Sequence, residues 1–238
     1  MTGRSRPSAC GSWSSRADHA VLAVADVDPP PGTLRVITFN LLSPDQADWD
    51  RRREVIRSGL QKLRPDVVAL QETVWGSGYD QASDLLGPDY ELARHASGSA
   101  DGVGAVLASR WPFGNIRKID LHVTERVDDL PWAAAVTAEP ACGSSPGGSR
   151  WTSSPLRDAW EAAHPGEPGH TFTPSNPLVR DGEWSQELGR RIDYVLVRCG
   201  IRGPSLQIVH CHRIFDQAVD GVWASDHFGV FADLQVPA

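Results

Sequence analysis

The sequence predicts a layered α/β fold on three observations. Residues 33–72 read as strand, amphipathic helix, strand; five further strand patterns follow with few helical ones between them; and the 238 residues, 40% hydrophobic and 22% charged, hold enough apolar material for one sizeable core. A single domain over 33–238 is expected.

The elements follow in order. Residues 1–32 are small, polar and end in three prolines, so a disordered leader is expected there. "TLRVITFNLL" (33–42) is apolar on both faces, as a strand buried on both sides must be. In "DWDRRREVIRSGLQKLRPD", Val55, Ile56, Leu60 and Leu63 recur at helical spacing, and Pro65 ends the helix. "DVVALQE" (66–72) is the next strand. Strands are also expected at 102–109, 131–138, 190–198, 205–214 and 228–236. Gly102-Val103-Gly104 lies within one of them and reads as a bulge or a close approach rather than a phosphate loop. Residues 139–156, crowded with Gly, Ser and Pro, carry no periodicity and read as a low-complexity junction.

Charge and cysteine usage restrict the function. A formal net charge of −7 argues against a nucleic-acid binder acting through bulk positive charge, and leaves a small phosphorylated substrate or a nucleic acid held through cations. Cys10, Cys142, Cys199 and Cys211 form no CxxC pair, so reduced thiols and a cytoplasmic location are expected. No apolar run is long enough for a membrane span, and no protein partner is signalled.

Several polar residues fall where chemistry could be done. Asn40 and Glu72 emerge at the C-terminal ends of two apolar strands, where oxygen ligands suit Mg²⁺ or Mn²⁺; the alternative is a turn-forming Asn40 and a loop-capping Glu72. In "RRIDYVLVR" alternation puts Asp193 on a face otherwise made of Val195 and Val197, and a buried carboxylate needs a partner. His227 is the candidate, since a carboxylate fixes the imidazole tautomer and raises its pKa. Asp226, on the other side of the backbone, is left for metal or a nucleophilic water. His210 and His212 share a strand face that Cys211 does not, which reads as structure before metal. His164 and His170 read as loop residues, and Trp49, Trp75, Trp111, Trp132 and Trp223 as packing at element ends or as walls of a cleft.

"ITFNLL", "RPDVVALQE", "RRIDYVLV" and "WASDHFGVFADL", in this order, resemble the signature segments of the endonuclease/exonuclease/phosphatase superfamily. "VGAVLASRWP" and residues 158–174 resemble two further stretches of it. The resemblance implies a four-layered α/β sandwich of two packed, mainly antiparallel sheets flanked by helices, here expected to be incomplete. It also implies a Mg²⁺-dependent phosphodiesterase or phosphomonoesterase acting on a small, lipid-like or nucleic-acid phosphoester. By position Glu72 would be the principal metal ligand with Asn40 beside metal and phosphate. Asp193 would orient His227, His227 would contact the scissile phosphate, and Asp226 would assist at metal or water. Two motifs of the family, Asn-Thr-His and Gly-Asp-Phe-Asn, are absent, so strands are expected to be missing at 139–156. Two alternatives stay open: an inactive remnant that binds phosphate or metal without turnover, and a zinc protein using the Cys and His residues.

Overall fold

The computed structural model describes residues 31–76, 78–95, 103–120, 134–140, 155–182, 185–201 and 203–236. Most of the expected leader (1–30) and of the expected junction (141–154), together with Gly102 and Trp132, lie outside the described residues.

The first strand, β1 (Thr33–Asn40), is followed by helix α1 (Trp49–Leu63) and by β2 (Val67–Val74), which pairs in parallel with β1. Asp48 caps α1 by accepting from the Arg51 amide. Arg64, in the left-handed conformation at φ 48°, closes it, and Pro65 bars its continuation. After α2 (Gln81–Leu86) come β3 (Glu91–Arg94), β4 (Val103–Ser109), β5 (Phe113–Asp120), β6 (Ala134–Pro140) and β7 (Leu156–Asp158). The chain ends through α3 (Ala159–Ala163), α4 (Pro177–Arg180), β8 (Leu196–Gly200), β9 (Gly203–Pro204), β10 (Gln207–Ile214) and β11 (Gly229–Gln235).

The principal sheet has the order β10-β11-β1-β2-β4-β3 and is antiparallel except at β1-β2, where α1 is the crossover. Apolar side chains cover both of its faces. On one, Ile37, Phe39, Val68, Leu70 and Phe231 pack with Ile56, Leu60 and Leu63 of α1 and Leu85 of α2. On the other, Val230, Ala232 and Leu234 pack with Val195 and Val197 and with Trp160 of α3. The remaining strands form a three-stranded sheet β7-β8-β9 and a two-stranded β5-β6. The fold is thus the predicted α/β arrangement of mostly antiparallel sheets with few helices.

One strand differs from its sequence reading. Ladder pairing over 190–198 begins only at Leu196; before it, Arg190 makes an isolated bridge to Phe172. The reason lies in the amides of Ile192 and Asp193, which both donate to Thr171 Oγ1 (3.1 and 3.2 Å) rather than to a neighbouring strand. The segment nevertheless alternates: Asp193, Val195 and Val197 are buried, while Ile192, Tyr194 and Leu196 are exposed. Gly104 proves to be a close-approach glycine, because a Cβ there would lie 2.3 Å from Cη2 of Trp75.

Candidate active site

β1 and β2 deliver their last polar residues to the same end of the sheet. Asn40 Nδ2 donates to Glu72 Oε1 (2.9 Å), and Asn40 Oδ1 accepts from the Leu42 amide (2.9 Å). That second bond turns the chain out of β1, with Leu42 at φ 54°, so the strand stops at Asn40 instead of running to residue 42. Glu72 itself has φ 54° and sits where the β2-β4 register shifts, between Leu70 and Thr73. A non-glycine residue in the left-handed region within a bulge is the type of strain found where a side chain is re-aimed at a site. Its other oxygen, Oε2, faces the Ser43 amide at 3.4 Å.

The entry to β11 supplies Asp226 and His227. Asp193 Oδ2 lies 2.9 Å from His227 Nδ1, with both side chains nearly buried. Burial alone would lower the imidazole pKa, but the hydrogen bond and charge of Asp193, aided by Asp226 and Glu72, outweigh it and hold the pKa above the usual histidine value. With Nδ1–H donated to the carboxylate, Nε2 is the nitrogen left for a substrate. Asp226 Oδ1 accepts from Ser225 Oγ (3.1 Å), and its charge reaches both His227 and Arg52.

The loop before α4 holds this pair in place. Thr171, fully buried, gives its hydroxyl oxygen to the Ile192 and Asp193 amides and its carbonyl to the Phe228 amide (2.7 Å). Asn176, also fully buried, donates from Nδ2 to Ser225 O (2.8 Å) and Asp226 O (3.1 Å). Phe172 lies 4.9 Å from the His227 ring, centroid to centroid. Neither Thr171 nor Asn176 stands out in the sequence.

The structure therefore brings Asn40 to Glu72, and Asp193 to His227; Glu72 and Asp226 both contribute to the field on His227. Among the described residues no group of three or more His, Cys, Asp or Glu side chains is placed to hold a metal ion. The donors present fit a hard, largely hydrated cation taken by the Glu72 carboxylate beside Asn40, since Mg²⁺ keeps several waters and needs only one or two carboxylates. They do not make a closed zinc site.

Three other histidines, His164, His210 and His212, lie close to one another. His164 donates from Nε2 to Cys211 O (2.7 Å), lies tilted against Trp160 at 4.2 Å and meets the His212 ring edge-on at 5.9 Å. His210 lies 6.2 Å from His212. Burial lowers the His212 pKa below 6.5, the positive charges of His164 and His210 lower it further, and Asp233 opposes them. The unfolded chain therefore takes up this proton at a higher pH than the folded one. Stability is expected to fall as pH drops below 6.5 and to level off once pH is below the folded value. His212→Gln should remove part of that acid-side loss, read as a smaller drop in melting temperature between about pH 8 and about pH 5.

The sequence model of the Endonuclease/Exonuclease/phosphatase family matches residues 37–140. No curated protein matches the chain. Among solved structures, TDP2 from C. elegans is 16% identical, with a TM-score of 0.66 over 94% of this chain and 82% of that one. D. rerio TDP2 complexed with single strand DNA product is 18% identical, with a TM-score of 0.59 over 86% of this chain and 99% of that one. An endonuclease/exonuclease/phosphatase from Bacteroides vulgatus is 15% identical, with a TM-score of 0.57 over 86% and 99%. Residues 37–140 are thus similar in sequence to the Endonuclease/Exonuclease/phosphatase family, and the chain is similar in fold to these structures.

Proposed function

We propose that the chain is a divalent-metal-dependent phosphoesterase, hydrolysing a phosphodiester or phosphomonoester. The observation that carries this reading is the buried Asp193–His227 hydrogen bond at the end of the sheet where Asn40 orients Glu72. Glu72, with Asn40 beside it, would hold Mg²⁺ or Mn²⁺, which when bound would polarise a phosphoryl oxygen and offset its charge. His227, its Nδ1 fixed by Asp193, would meet the scissile phosphate through Nε2 and stabilise the charge that develops there. Asp226 is the carboxylate left to orient the attacking water. The net charge of −7 favours a small or lipid-like phosphoester over bulk DNA, although one structural relative was solved with a single strand DNA product.

Hydrolysis of a chromogenic phosphodiester and phosphomonoester is the test, run with Mg²⁺, Mn²⁺ or EDTA. Turnover should need the metal and fall by about 10² or more in both Glu72→Ala and His227→Ala. Turnover that survives Glu72→Ala marks a contaminant and sinks the reading.

A second reading, a non-catalytic remnant that binds metal or phosphate, is favoured by the absent Asn-Thr-His and Gly-Asp-Phe-Asn motifs. The exposed Leu156, Ile192, Tyr194 and Leu196 on β7, β8 and the approach to β8 fit with it, as strands lost from a sandwich leave apolar faces uncovered. Calorimetry that detects Mg²⁺ without any hydrolysis would favour it.

A further inference from the structure

Arg52 is the one charged residue on the buried face of α1, only 1% exposed, and no carboxylate is hydrogen-bonded to it among the described residues. Its acceptors are five backbone carbonyls. Nη1 donates to Leu41 O (2.7 Å) and Ala224 O (3.1 Å); Nη2 faces Leu42 O (3.0 Å), Ser43 O (3.1 Å) and Gln46 O (2.9 Å). Nε is buried without a partner, and the guanidinium carbon lies 5.2 Å from the centre of the Trp49 ring. A buried cation costs several kcal/mol unless its donors are used, so a position that only filled the core would be better served by leucine.

The five carbonyls belong to two segments, one just before Arg52 in the chain and the other 172 residues after it. One, 41–46, carries the Leu42 amide that fixes Asn40 and the Ser43 amide that faces Glu72. The other leads from Ala224 into Ser225, whose hydroxyl accepts from the His227 amide (3.3 Å) and donates to Asp226. We propose that Arg52 is a positioning residue that couples the metal-side loop to the Asp226–His227 segment, so that both halves of the site are set by one planar fork of donors. Lysine, with three donors and no plane, cannot span the five acceptors. The catalytic part of this proposal rests on the phosphoesterase reading; the coupling of the segments does not.

Hydrogen exchange and kinetics on Arg52→Lys test it. Exchange should rise together by about tenfold or more in peptides covering 41–47 and 222–228, while β10 stays protected. At saturating Mg²⁺ and substrate, kcat should fall about 100-fold with KM within about threefold, as expected when reacting groups are displaced but binding is kept. Exchange that rises in one segment alone, or a variant that melts earlier yet keeps the wild-type kcat per folded molecule, overturns the proposal. Should Arg52→Lys fail to fold, the wild type decides: amides of Ser43 and of Ala224–Phe228 should open with one free energy and one denaturant dependence, and separate openings refute the coupling. A wild type without metal-dependent turnover refutes the phosphoesterase reading and leaves the coupling to be judged by exchange.

Discussion

Asp233→Leu is expected to lower the unfolding free energy by about 3–5 kcal/mol, the cost of leaving a buried cation without its counter-charge. Arg35 on β1 and Asp233 on β11 face each other in register, with only 3% and 5% of their side chains exposed. The contact is bidentate, Nε to Oδ1 at 3.0 Å and Nη2 to Oδ2 at 3.2 Å, and Nη1 also donates to Leu63 O (2.9 Å) at the end of α1. Removing the carboxylate leaves Leu63 O in place but takes away the charged, bidentate acceptor of Nε and Nη2. The double variant Arg35→Met, Asp233→Leu should recover most of the loss, because a packed apolar pair is often as stable as the ion pair it replaces. Urea unfolding of the three proteins measures this. A single-variant loss under about 1 kcal/mol would mean that water reaches the pair. Since Arg35 and Asp233 lie at the opposite ends of β1 and β11 from Asn40 and His227, the folded fraction of the double variant should keep the site intact.

What the sequence makes legible, and what it hides, depends on where each polar group is satisfied. β1, α1 and β2 are readable because their hydrophobic periods differ and Pro65 separates helix from strand. The Asp193–His227 bond is readable for a related reason, as a carboxylate on a valine face calls for a partner. The missing ladder before Leu196 is not, because the acceptor of the Ile192 and Asp193 amides is a threonine hydroxyl about twenty residues upstream, and hydrogen bonds from side chain to backbone have no period. Asn176 was hidden in the same way. Arg52 did leave a signal: positions 52, 56, 60 and 63 form one helical stripe, so an arginine in line with Ile56, Leu60 and Leu63 faces the core. Reading arginines by type, as solvated face, passes over that register.

Asp193→Asn is expected to reduce kcat by about 10²–10⁴ while leaving the fold cooperative, the range that general acid–base and orienting groups supply. The volume is unchanged and Thr171 still accepts from the residue 193 amide, so the backbone has no reason to move. What changes is the imidazole. Asparagine can donate to Nδ1 as well as accept from it, so the tautomer that leaves Nε2 toward the phosphate is no longer enforced. The charge that holds the His227 pKa above 6.5 is gone too, while the burial that lowers it remains. If the imidazolium is the form that meets the phosphate, the alkaline limb of the rate profile should move to lower pH in the variant. Stability should respond with the same sign. The raised folded pKa gives a contribution fully present below 6.5 and lost as pH rises through the folded value, and the variant should lack it. A variant that keeps the wild-type rate, with an unshifted alkaline limb and an unshifted pH dependence of melting, would show that Asp193 does not act through His227. A variant that loses rate without a shift in either would confine the role of Asp193 to orientation.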